Sequence, residues 1–140
     1  MSLDVWLHRK RAELPEAAKA AALLRVNGFE EFATELAFRH DTSEYDTLFD
    51  ANVTHNLNKM AEEAGIYQAC WRPEELGITK ASDLIPLLQS GLDKLQNDRP
   101  RFEKFNPSNG WGSYEGFVSW VAKYLEACRE YPDAEVSVSR

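Results

Sequence analysis

Near the N-terminus apolar residues fall on every second position: Leu3, Val5 and Leu7 alternate with Asp4, Trp6 and His8. This period fits a half-buried strand, whose successive side chains point to opposite faces. Ala134, Val136 and Val138 alternate in the same way with Glu135, Ser137 and Ser139, which predicts a terminal strand. A third strand is expected over residues 45–53, with Leu48 and Phe49 as its apolar content. Between the first two strands the pattern becomes helical. Pro15 opens an alanine-rich run over residues 16–25, as Pro does at a first helical position, and Asn27-Gly28 closes it. Phe29, Phe32, Ala33 and Leu36 lie at i, i+3, i+4 and i+7, one face of a second short helix. Asp41-Thr42-Ser43 then breaks the period with turn residues.

Beyond the central strand, Thr54 is an N-cap candidate, since its hydroxyl can accept a backbone N–H of the first turn. Leu57, Met60, Ala61 and Ala64 follow at helical spacing, and Gly65 stops them. The run 66–71 either extends that helix or turns before Arg72-Pro73. Leu84, Leu87, Leu88, Leu92 and Leu95 predict a long helix. Pro86 decides where it begins: a start at 83, capped by Ser82 after a short turn at 79–82, keeps the proline in the first turn, whereas a Thr79 cap places it inside. The spacing favours a helix over residues 83–97. Asn106-Pro107-Ser108-Asn109-Gly110-Trp111-Gly112 is the longest run of turn formers. Ser113 then caps a final helix with Phe117, Trp120, Val121, Tyr124 and Cys128 on one face, ended by Pro132-Asp133.

These elements predict an α+β fold, a small antiparallel sheet of N-terminal, central and C-terminal strands with helices packed on one face. The two terminal strands are expected to pair, because each needs a partner and chain ends often lie close together. At 140 residues the chain fits one domain. Folding at that length removes roughly 70% of the unfolded surface, and a hydrophobic fraction of 44% can fill such a core. Cys70 and Cys128 are too few for a disulfide framework or a zinc cluster, and both fall among apolar helical positions. No run reaches the ~18 apolar residues of a membrane span, and no signal-peptide pattern precedes the charges at His8-Arg9-Lys10-Arg11. A cytoplasmic protein that does not bind membrane is expected. The net charge of −7 argues against a nucleic-acid groove, which gains affinity by neutralising phosphates. The one basic cluster, Arg9-Lys10-Arg11, reads as edge-strand charge.

Several motifs carry a resemblance. Asn52-Val53-Thr54-His55-Asn56-Leu57, Met60-Ala61-Glu62-Glu63-Ala64-Gly65-Ile66-Tyr67, Trp71-Arg72-Pro73, residues 106–114 and Tyr131-Pro132-Asp133-Ala134-Glu135-Val136-Ser137-Val138-Ser139-Arg140 belong to this set. Together they resemble a family of small bacterial and tailed-phage proteins with no established activity. The likeness covers residues 1–7 and about 49–140. It implies that the stretch at about 11–45 is a helical insertion, and it implies no substrate, cofactor or mechanism.

Chemistry must therefore be sought residue by residue. Asn52, Thr54, His55 and Asn56, with Asn58, crowd hydrogen-bonding groups around one helix start, although asparagine is a poor helix former. They are either a polar pocket for a small polar or anionic ligand or caps that satisfy local backbone. Glycines on both sides of Trp111 allow positive φ. Trp111 or Tyr114 would stack on a ring while Asn106 and Asn109 bond its edge; alternatively Trp111 folds back as a lid over the core. Arg72, beside Trp71, either clamps an anion or pairs with Glu74, Glu75 or Asp83.

For catalysis the chain offers little. His8, His40 and His55 show no metal-ligand spacing, no nucleophile sits in a recognisable elbow, and no cofactor is expected. A hydrolase built on His55 and Glu62 or Glu63 is hampered by about 10–12 Å along a helix axis. The sequence thus favours a non-enzymatic domain for a small polar or nucleotide-like ligand. The runner-up is a protein–protein interaction module of phage or mobile-element origin that acts on a host factor.

Overall fold

Alternation along the N-terminal strand becomes a division between two faces. The computed structural model describes residues 1–140, and β1 (Ser2–Lys10) buries Leu3, Val5 and Leu7 completely while Ser2, Asp4, Trp6 and His8 stay half-buried. The terminal strand β3 (Glu135–Ser139) pairs antiparallel with β1, setting Val138 opposite Val5 and Val136 opposite Leu7. β2 (Tyr45–Thr54), the middle strand in sequence, takes the other side of β1 as an edge strand, so the sheet order is β2-β1-β3. The fold is α+β, with an antiparallel three-stranded sheet. β1 is central because both other strands need its backbone groups.

Helices α5 (Ala81–Asn97) and α7 (Tyr114–Glu130) pack on each other and share one core with the buried residues of β1. Ser113 caps α7, its Oγ accepting the Gly116 N–H at 3.1 Å. The stripe Phe117, Trp120, Val121, Tyr124 and Cys128 is buried, as its spacing predicts. Leu84, Leu88, Leu92 and Leu95 of α5 are buried against it, whereas Leu87 falls on the outer face. Gly91 lets α5 approach its neighbour: a Cβ there would lie 2.3 Å from Cγ2 of Ile66.

The start of α5 differs from the sequence expectation. It begins at Ala81 rather than 83, and Pro86 lies inside the helix. Ser82 is not the cap. Instead, the Ala81 and Ser82 N–H groups donate to the carbonyls of Ala134 (2.8 Å) and Pro132 (2.9 Å). A segment fifty residues away thus satisfies donors that a side-chain cap would otherwise meet, a solution invisible to local reading.

Thr54 ends β2, and its Oγ1 accepts the Asn56 N–H at 3.3 Å. The chain then makes one 3₁₀ turn at His55–Leu57 before α3 (Asn58–Glu63). Gly65, at φ +76°, closes α3 and frees the chain to start α4 (Tyr67–Trp71), which resolves the ambiguity over 66–71. The short α6 (Arg99–Glu103) joins α5 to the turn-rich loop before α7. Cys70 and Cys128 are free and buried. Burial pushes the Cys128 thiol up to about 12 and raises Cys70 as well, so neither is a ready nucleophile.

The chain forms two compact units: Met1–His8 with Thr47–Arg140, and Arg9–Asp46. The second holds α1 (Glu16–Val26) and α2 (Glu30–Arg39), joined through Gly28 at φ +83°. Its fully buried side chains are Ala18, Ala21 and Ala33. Phe29 and Phe32, which share a helical spacing with Ala33 and Leu36, are 52% and 62% exposed. Arg11 ties the ends of this unit, with Nη2 2.7 Å from Asp41 and Nε 2.7 Å from Asp46.

Candidate functional site

The last residues of β2 and the following 3₁₀ turn form one wall of a cleft of about 870 Å³. Asn52, Thr54, His55 and Asn56 make this wall, and Met1, Ser2 and Trp111 line the cleft with them. The two polar and aromatic segments singled out in the sequence therefore meet. The side-chain amide of Asn56 donates to the Trp111 carbonyl at 3.3 Å.

Glycine geometry brings the loop this close. Gly110 and Gly112 have φ of +77° and +107°, so both flanks of Trp111 occupy the region the sequence anticipates for them. At Gly112 space matters as well as φ: a Cβ would lie 2.9 Å from Cγ2 of Thr54 and 3.1 Å from Cγ of Leu57. Trp111 does not fold back over the core. It is 72% exposed.

Each polar group on the wall has a defined role. Asn52 Nδ2 donates to Ser2 Oγ at 2.8 Å and to Asp4 Oδ1 at 2.7 Å. Behind His55 lies Trp71, buried at 2% exposure, whose Nε1–H donates to His55 Nδ1 at 2.8 Å. An indole N–H can only donate, so His55 Nδ1 is the acceptor and the neutral ring carries its proton on Nε2. No carboxylate orients this imidazole from Nδ1. Glu63, one proposed partner for it, is instead bonded by Arg101 Nε at 2.7 Å.

Other residues expected at the site are placed elsewhere by the fold. Tyr114 is buried, its hydroxyl donates to the Leu95 carbonyl at 2.6 Å, and the Arg99 guanidinium lies over its ring; it cannot stack on a ligand. Asn106 Oδ1 accepts the Tyr114 N–H at 2.8 Å, and Asn109 Oδ1 accepts the Trp111 N–H at 2.9 Å. Both shape the loop and do not line the cleft. Trp71 supports His55 from the core side. Arg72 pairs with Glu75 at 3.4 Å, and its interaction with Tyr67, then the Glu75 charge, raises its pKa; it takes the salt-bridge alternative.

Ser2 was not anticipated. Its outward position in β1 follows from alternation, but its place beside Asn52 requires knowing that β1 and β2 are neighbours. A separate concavity of about 660 Å³ runs along α5, lined by surface residues such as Gln89 and Asp93, which bond each other. It contains no aromatic side chain. No family model matches the chain, and no curated protein or solved structure matches it.

Proposed function

We propose that this protein is a non-enzymatic domain that binds a small polar, nucleotide-like ligand in the cleft between residues 52–56 and Trp111. The observation that carries the reading is their convergence. Neutral donors and acceptors and an exposed indole line one cleft, the usual composition of a small-ligand site. The absence of a carboxylate at His55 Nδ1 favours binding over acid–base catalysis. A thermal-shift screen of nucleosides, nucleotides, cyclic nucleotides and sugars tests the reading. A true ligand at 100 times its Kd adds about 2.7 kcal/mol to stability, and Trp111→Ala removes that gain. If no compound in the screen shifts the transition, the reading falls.

A second reading has its own support. Leu23, Val26 and Phe38 of the α1–α2 unit are 66%, 84% and 91% exposed, and large apolar groups in water commonly mark a protein-contact surface. An interaction module with a protein partner would use this unit, which lies outside the stretch that carries the resemblance to bacterial and tailed-phage proteins. Loss of a captured host protein on Phe38→Ser would support this role. Unchanged capture would remove it.

A further inference from the structure

The hydrogen bonds already made inside the cleft restrict what it can accept. Both amide hydrogens of Asn52 are engaged, by Ser2 and Asp4, so Asn52 offers only Oδ1. Asn56 gives one amide hydrogen to Trp111 and keeps Oδ1 and its second N–H. His55 presents Nε2–H, because Trp71 occupies Nδ1. Trp71 itself is fixed: it is buried and stacks on Tyr67 with ring centroids 5.4 Å apart. The wall therefore sets fixed acceptors beside a fixed aromatic N–H donor. No lysine or arginine lines the cleft, and the net charge of −7 disfavours an added anion.

From this geometry we infer that the cleft selects the uncharged amide or imide edge of a planar heterocycle, a nucleobase or nucleoside, with His55 Nε2–H as the specificity-determining donor. This rests on the ligand-binding reading above and narrows it. An edge with an N–H beside a carbonyl complements acceptor and donor together, and its flat ring stacks on Trp111. A phosphate gains no bidentate side-chain partner here, since no lysine or arginine lines the cleft. Trp71 is a positioning residue, acting through the tautomer of His55.

Calorimetry with uridine, uridine 5′-monophosphate and glucose provides the test, using wild type, His55→Asn and His55→Gln. Uridine is expected to bind, and the monophosphate no tighter. In His55→Asn the amide still accepts from Trp71 but leaves nothing at the Nε2 position, so uridine weakens roughly tenfold to a hundredfold with an unchanged melting temperature. His55→Gln places an amide near Nε2 and retains most of the affinity. Tighter binding of the monophosphate by tenfold or more, or binding of glucose without uridine, overturns the inference and leaves the cleft a ligand site. Failure of every probe, together with a silent thermal-shift screen, overturns both.

Long-range ¹H–¹⁵N spectra of the free protein supply a readout that needs no ligand. They should show His55 as the neutral Nε2–H form. A ring protonated at Nδ1 sinks the proposal. In Trp71→Phe, which keeps a ring and loses the N–H, the two tautomers should mix, and a ring still wholly Nε2–H ends the positioning role. If that variant does not fold, the wild-type spectra decide.

Discussion

The two compact units of this chain bury very different side chains. In the unit formed by Met1–His8 and Thr47–Arg140, Trp71, Tyr124, Phe102 and Phe117 are all fully buried. In the unit Arg9–Asp46, the fully buried side chains are alanines, and its phenylalanines face solvent. Apolar burial stabilises by about 25 cal/mol per Å², so an aromatic interior contributes several times more per residue than an alanine seam. A unit of this size with so little buried also sits below the range in which domains usually fold unaided. Stability should therefore be concentrated in the first unit, and contact with other molecules in the cleft and on the exposed apolar side chains of the second.

Substitutions can break that contrast. The largest expected effect is Phe117→Ala, which removes a fully buried ring from α7 and should cost about 3–5 kcal/mol in urea denaturation. Phe38→Ser, a change of the same size in the other unit, should stay within about 0.5 kcal/mol. Equal losses at both positions would show that the second unit has a core of its own. Gly91→Ala comes next. Its methyl would press on the Ile66 side chain, and overpacking of this kind costs about 1–3 kcal/mol. A neutral outcome would mean that α5 and Ile66 have slack.

Ser113→Ala should cost about 1 kcal/mol by leaving the Gly116 N–H without its partner. Separately, native-state hydrogen exchange of the unsubstituted protein should find amides of α1 and α2 exchanging well before those of α5 and α7. The smallest effect concerns Asp41. Its hydrogen bond with Arg11, then the Ser43 N–H, holds the carboxyl below the ordinary carboxylate range. Because the folded value is the lower one, this contribution is present above the unfolded pKa and fades as pH falls through the folded value. Carboxyl NMR titration should find Asp41 depressed, and Arg11→Ala should return it towards its model-peptide behaviour.

How far the sequence could be read follows the same division. Alternation in β1 and β3 and the helical stripe of α7 were legible because a large buried surface imposes its period on the chain. In α2 the spacing of Phe29, Phe32, Ala33 and Leu36 predicted the helix correctly but said nothing of burial. A stripe marks a face, and only packing decides whether that face is covered. At the candidate site, residues 52–56 and Trp111 stood out through unusual local chemistry. The same reasoning could not separate Trp111, left in solvent, from Tyr114, three residues on and buried against Leu95.

Taken alone, the sequence determined the α+β class, the pairing of the terminal strands, the cap of α7 and the positive-φ glycines around Trp111. Each of these depends on steric and hydrogen-bond preferences of residues close in the chain, or on a period of two or 3.6. Tertiary structure alone decided that Ser2 meets Asn52, that Pro132 and Ala134 start α5, and that Trp71 sets the tautomer of His55. These contacts join residues 16 to 53 positions apart, and no local propensity carries information over such distances.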